Sequence, residues 1–238
     1  MIKHHPIIRP VGDSAVLVEF EERISPGVNH RVRQFAHGVE TNALPGIIET
    51  VSAYRSLMIF FDPFTVDERT VIEFLEGLPK AESDIGLPSP RLFKIPTVYG
   101  DEHGPDLIRV SKLTGLSPDD VINLFSSQSY LLYFVGFLCS IPYLGGLPKK
   151  LEVPRLASPR PSVALGSVGF TEKQVSFLPV NLPSGWNYIG RTYVTYYEPT
   201  KDPPTPLRPG DRIAFPAVSE EEARTWANKD MVEFIEGA

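Results

Sequence analysis

The sequence predicts an α+β protein of two domains, and three observations carry that reading. Across residues 1–83, apolar runs with strand and helix periods follow one another in the order strand, helix, strands, helix, the pattern of a small α/β sandwich. Lys80–Arg91 is polar and holds two prolines, which marks a connection between domains, placed at residues 84–91. Across residues 92–238, glycine and proline interrupt the chain at short intervals. Long helices are excluded from most of that half, and short strands with tight loops are favoured, as in a small β-barrel.

The elements follow in order. Asp13–Phe20 alternates, with Val16, Val18 and Phe20 on one side, and reads as a half-buried strand. Ser25-Pro26 supplies an N-cap and a first-turn proline, and Val28, Val32, Phe35, Ala36 and Val39 continue at helical spacing to about Glu40. Ile47–Ala53 and Leu57–Phe61 read as strands. Thr65 and Glu68 form the signature of a capping box opening a helix to about Leu78. Beyond the linker, Leu92–Tyr99 is a strand carrying Pro96, which suits an edge. Pro105–Leu113 is a short helix stopped by Gly115, and Ser117-Pro118 starts another that runs to about Ser126. Tyr130–Leu138 is an apolar, aromatic strand. Val163–Leu165 and Gln174–Leu178 are short apolar runs between breaks, and Arg191–Glu198 alternates as a strand. Pro199–Gly210 holds five prolines in irregular chain, and Asp211–Phe215 is the last strand. Ser219 and Glu222 form a second capping-box pattern, opening a helix that places Ala223, Trp226, Ala227, Met231, Phe234 and Ile235 on one face.

Composition narrows the class. The chain has 238 residues, of which 42% are hydrophobic and 22% charged, enough for a packed core and too apolar for disorder. Its net charge of −6 argues against general nucleic-acid binding. One cysteine, Cys139, excludes an intrachain disulfide and a cysteine-rich zinc site. The start of the chain has neither the apolar core nor the cleavage pattern of a signal peptide, and no apolar run reaches the ~18 residues of a membrane span, so a cytoplasmic protein is expected.

Against that acidic background, Gly136–Thr192 is basic, with six lysines and arginines against two glutamates. It also groups its small residues: Gly145-Gly146, Gly166-Ser167-Val168-Gly169 and Ser184-Gly185. Grouped glycines serve either tight β-turns or backbone amides that approach an anion, and a local positive charge serves either a solvated face or a binding site. None of the groups is a P-loop or a dinucleotide fingerprint. Arg155, Arg160 and Arg191 are the candidates for bidentate anion contacts, with ion pairing inside the fold as the alternative. Tyr143 and Trp186 stand beside glycines, either lining a pocket or packing a loop, and Gln174 could fix a polar group. All five histidines precede Gly104, so a Ser-His-Asp arrangement around Ser167 has only His103 near it. No metal site is expected: His4-His5 lies on the N-terminal tail, and His30 and His37 share the solvated edge of a helix.

Several runs, taken in order, resemble the allophanate hydrolase subunit 1 family, which includes the smaller carboxyltransferase-like component of bacterial 5-oxoprolinase and the Kip-type inhibitors of a histidine kinase. They are Gly136-Phe137, Pro142-Tyr143-Leu144-Gly145-Gly146-Leu147, Pro154-Arg155, Pro159-Arg160, Gly166-Ser167-Val168-Gly169, Gln174, Gly185-Trp186 and Ile189-Gly190-Arg191-Thr192. Gly12-Asp13, Ala53-Tyr54-Arg55-Ser56-Leu57, Gly104-Pro105-Asp106-Leu107 and Arg208-Pro209-Gly210-Asp211 extend the likeness over nearly the whole chain. The resemblance implies a cyclophilin-like β-barrel for residues 92–238. It also implies a subunit that works with ATP, a second subunit of the same carboxyltransferase-like family and a third, amidohydrolase component to open 5-oxoproline to glutamate. The alternative it offers is a non-catalytic inhibitor of a sensor histidine kinase. The ligand-binding residues implied are Tyr143, Gly145, Gly146, Arg155, Arg160, Gly166, Ser167, Gly169, Gln174, Trp186 and Arg191. Three places depart from the family pattern. Cys139-Ser140-Ile141 replaces Pro-Gly-Phe, Phe125 stands where a histidine is common, and Glu172-Lys173-Gln174-Val175-Ser176 replaces a Gly-x-Gln-Thr-Gly run.

Overall fold

The structure, a computed structural model, describes residues 6–78, 86–227 and 229. The chain divides into two compact units, Met1–Ser89 and Pro90–Ala238. No helix among the described residues is long and apolar enough to cross a membrane.

In the first unit β1 (Ile7–Val11), β2 (Ala15–Glu19), β3 (Ile47–Ser52) and β4 (Ser56–Phe61) form an antiparallel sheet in the order β1-β2-β4-β3. Val16 and Val18 of β2 join Leu57, Ile59 and Phe61 of β4 in a core closed by α1 (Pro26–Asn42) and α2 (Glu68–Gly77). The start of α1 is the predicted one, with Ser25 Oγ accepting from the Val28 N–H at 3.3 Å and Pro26 just inside. The start of α2 is not. Asp67 caps it, accepting from the Thr70 N–H at 2.7 Å, while Thr65 Oγ1 donates to Asp62 at 2.7 Å one turn earlier. The charged acceptor adjacent to the helix displaces the threonine cap that the sequence pattern suggested. β1 escaped the sequence reading because four of its five residues are exposed; its ladder to β2 holds it in place.

The second unit holds β5 (Leu92–Lys94), β6 (Val98–Tyr99), α3 (Leu107–Thr114), α4 (Pro118–Ser126), β7 (Ser129–Gly136), β8 (Ile141–Gly145), β9 (Arg160–Val163), β10 (Ser167–Thr171), β11 (Gln174–Phe177), β12 (Leu182–Ser184), β13 (Asn187–Arg191), β14 (Arg212–Ala214) and α5 (Glu220–Thr225). Eight strands make one sheet, ordered β5-β14-β7-β8-β11-β10-β13-β6, and β12 and β9 pair separately. Its edge strands β5 and β6 do not pair, so the sheet is not a closed hydrogen-bonded barrel. They are nevertheless successive in the chain, and Ile95–Thr97 carries the backbone from one edge to the other. The predicted single strand Leu92–Tyr99 is therefore two, parted at Pro96, which has no N–H to give a ladder. The predicted strand Arg191–Glu198 is likewise corrected. β13 ends at Arg191, and the following residues are extended but unladdered, with Val194 and Tyr196 buried alternately. Period-two burial alone produced the strand signal, and the Tyr196 hydroxyl instead donates to the Phe177 carbonyl at 2.9 Å. Ser219 caps α5 as expected, accepting from the Glu222 N–H at 3.2 Å. Met231, Phe234 and Ile235 of the expected closing face lie outside the described residues, as do His4, His5 and residues 79–85 of the linker.

The core of this unit is aromatic. Phe125 of α4 lies among Tyr130, Phe170 and Phe215, with ring centroids 5.0, 5.5 and 5.8 Å away, and is fully buried. The Gly-rich run lost at residues 172–176 is the hairpin between β10 and β11, where Thr171 faces Gln174 and Glu172 is held at φ 49°. A left-handed non-glycine residue costs roughly 1–2 kcal/mol. Glycine would recover that, less roughly 0.4–1 kcal/mol of added freedom in the unfolded chain. Glu172→Gly is therefore expected to be neutral or to stabilise by up to about 1 kcal/mol. Urea unfolding measures it, and a clear loss of stability would count against strain in this turn.

Candidate functional site

The central basic stretch folds into two separate groups. In the first, Asp106 and Arg160 form the hub. The Gly104-Pro105-Asp106 turn brings the carboxylate, 2% exposed, to the Arg160 guanidinium, which donates to both oxygens at 2.9 and 2.6 Å. The Tyr188 N–H donates to the same carboxylate at 2.8 Å. Asp106 stands at the N-cap of α3 yet makes no side-chain cap, because its oxygens are taken by these partners. Tyr188 donates its hydroxyl to Ser184 Oγ at 2.8 Å, and burial, the largest influence on it, pushes its pKa up to about 12.

Around this hub Ile141, Val163, Leu178, Leu182 and Tyr188 form a small apolar cluster, with Tyr143 and Trp186 packed against it. Tyr143 is stacked on Phe134 at 4.5 Å and meets Trp186 edge-on at 6.3 Å. Burial raises the Tyr143 hydroxyl's pKa, and the positive charge of Arg155 opposes the rise. Arg155 is exposed and has no carboxylate partner among the described residues, so of the three candidate arginines it alone presents an uncompensated charge there. Gly146, at φ 101°, faces open space, whereas a side chain at Gly145 would enter the Tyr133 ring.

The second group is the Gly166–Gly169 run, and it is packing rather than a loop. It opens β10 at the centre of the sheet. The Gly166 N–H donates to the Leu178 carbonyl at 2.8 Å and the Ser167 N–H to Ala164 at 3.2 Å, while Val168 and Gly169 lie in the ladders with β11 and β13. Carbonyl oxygens of Thr192 and Asn187 lie 2.1 and 2.2 Å from where Cβ atoms of residues 166 and 169 would be, so glycine is required by close backbone approach. These amides are committed, and the run does not fit a phosphate cradle. Arg191, opposite Ser167, donates from Nε to the Leu165 carbonyl at 3.1 Å and lies over the Tyr193 ring. It shares no partner with Arg160. Gln174 is half-buried at the end of the β10–β11 hairpin.

The structure thus gathers Tyr143, Trp186, Arg155 and Arg160 at one corner, and puts Gly166, Ser167, Gly169, Gln174 and Arg191 on the neighbouring ladder. The residue that sequence reasoning missed is Asp106. It stood inside a motif run, and its partner Arg160 lies too far along the chain for spacing to reveal the pair.

This architecture is that of a carboxyltransferase-type domain. The family model "Carboxyltransferase domain, subdomain C and D" matches residues 6–207, and the chain belongs to that family. It is similar to the B subunit of 5-oxoprolinase from Bacillus subtilis (strain 168), 37% identical over 230 residues and covering 92% of this chain and 95% of that protein. It is also similar to the B subunit of 5-oxoprolinase from Escherichia coli O157:H7, 35% identical over 208 residues with 86% and 93% covered. Among solved structures, TTHA0988 superposes with a TM-score of 0.76 at 30% identity, over 90% of this chain and 40% of that one.

Proposed function

We propose that this chain is the B-type component of an ATP-dependent cyclic-amide hydrolase that opens 5-oxoproline to glutamate. The observation that carries the reading is the end-to-end match, covering 95% of the Bacillus subtilis relative's length. A family likeness confined to one half would support only a shared domain. The proposed partners are a second carboxyltransferase-like subunit and an amidohydrolase component. That TTHA0988 continues well beyond the part matching this chain fits a module that works beside more polypeptide. The cyclophilin-like description of the second unit belongs to the same proposal, with the sheet edges joined through Ile95–Thr97 rather than by a ladder.

The chemistry of the corner supports a binding role. Tyr143 and Trp186 offer an apolar wall, and Arg155 offers a charge that can take a carboxylate or phosphate oxygen. ATP, when used by such an assembly, would activate the amide oxygen as a leaving phosphate. Within this chain Arg155 and the exposed Lys149 and Lys150 are the cations on hand, and the glycine run contributes no amides. No general base faces the corner from this chain, so base and nucleophile come from partners.

The purified chain alone is therefore expected to show no turnover of 5-oxoproline, and co-expression with its two partner subunits should restore ATP-dependent glutamate release. In that complex Arg155→Ala should lower kcat/KM by ~10- to 100-fold, the loss of one charge-assisted contact of roughly 1.5–3 kcal/mol, with no change in melting temperature. Turnover by the isolated chain, or an inactive complete complex, overturns the reading. Capture of a sensor histidine kinase by a chain with no such complex would favour the inhibitor function instead.

A further inference from the structure

Among the described residues, Glu102, His103 and Glu220 bring one imidazole and two carboxylates together, each offering a ligand atom within 4.8 Å of the others. His103 is 7% exposed, and neither ring nitrogen has a hydrogen-bond partner. Its Nε2 points at both acids, 3.5 Å from Glu220 and 4.0 Å from Glu102. We propose that these three residues bind a divalent transition-metal ion of the zinc class. The site is independent of the corner at Arg155 and of the activity proposed there.

The distances carry the argument. At 3.5 Å the His103–Glu220 approach is longer than a charge-assisted hydrogen bond. Two ligands held at about 2.1 Å on a tetrahedral ion are separated by about 3.4 Å, which this pair already matches. Glu102 is 82% exposed and free to close the remaining gap, which leaves a fourth position for water. Mixed imidazole and carboxylate donors suit zinc, whereas calcium and magnesium favour oxygen alone.

The surroundings orient the ligands. Glu220 gives one oxygen, Oε1, to Arg224 at 2.5 and 3.0 Å and to the Tyr193 hydroxyl at 3.2 Å, and turns the other, Oε2, to His103. That division fixes the carboxylate as outer contacts do around metal ligands. The single positive charge of Arg224 leaves the two carboxylates with a net −1 before an ion enters. Bound there, the ion would tie the turn at 101–104 to the start of α5, two segments far apart in sequence.

The test uses the full chain, dialysed against chelator and titrated with Zn²⁺ by calorimetry and with Co²⁺ by visible absorption. One equivalent should bind, and Co²⁺ should give the intense band of a tetrahedral site. His103→Gln and Glu220→Gln should each weaken binding by at least tenfold and abolish that band. Glu102→Gln changes an exposed side chain and should weaken binding several-fold without altering the metal-free melting temperature; it decides the matter if the buried histidine variant fails to fold. Absence of binding at millimolar Zn²⁺ overturns the proposal. So does binding unchanged in Glu102→Gln and Glu220→Gln, which would put the ion on the other histidines.

Discussion

Replacing Asp106 with alanine should destabilise the protein by about 3 kcal/mol, near the low end of the 3–5 kcal/mol lost when a buried ion pair loses one partner. The carboxylate is almost wholly buried and accepts three hydrogen bonds, two from Arg160 and one from the Tyr188 backbone. Alanine leaves that buried N–H without an acceptor and Arg160 without a counter-charge. Arg160 is about one-third exposed and can turn toward water, which keeps the cost below the upper end of that range. The reciprocal Arg160→Ala strands the carboxylate instead, and should cost a similar amount. Because each change destroys the same contact, the double variant should be little worse than either single one. Urea unfolding of the wild type and three variants measures this. Additive losses would separate the two side chains energetically, and negligible losses would release Arg160 for a ligand.

The same pair marks where the sequence stops being informative. Elements set by neighbours were legible. Ser25, Ser117 and Ser219 cap helices as their positions predict, and Gly115 ends α3 at φ 72°. Period-two burial placed β2 and β4 correctly, but it also drew a strand through Val194 and Tyr196, because burial reports packing and says nothing of a partner strand. The glycines at 166 and 169 were visible as special, yet their reason, carbonyls of Thr192 and Asn187 pressing on the backbone, comes from β13 and the residue after it, outside the run itself. The candidate site was legible in residue type. Arg155, Arg160 and Arg191 have the same chemistry in the sequence, and only the positions of Asp106, Leu165 and Tyr193 assign them different work. The loop at Phe137–Ser140 shows a departure with a backbone consequence. Cys139 sits at φ 49°, a conformation closed to the proline that relatives carry there.

Phe125 carries the other large expected effect, and it bears on how this chain differs from its relatives. Its ring fills the space between Tyr130, Phe170 and Phe215, and helix α4 is anchored by it together with Val121 one turn earlier. Phe125→Ala should cost roughly 3–5 kcal/mol, the transfer of the ring plus the cavity left behind. Phe125→His, which installs the residue common at this position in the resembling family, is the more informative change. The imidazole would sit among aromatic carbons, so the folded state would hold it neutral, while the unfolded chain protonates it near pH 6.5. The unfolded state then binds more protons below that value, and stability must fall as pH drops through it. Wild type and both variants should be unfolded in urea at pH 8 and pH 6. Phe125→Ala is expected to lose a similar amount at both, and Phe125→His to lose less at pH 8 and more at pH 6. A histidine variant with no added pH dependence would mean that water or a polar group reaches this pocket. With the dependence present, the pocket is apolar, and any proton transfer a histidine performs at this position in relatives has been given up here in favour of packing.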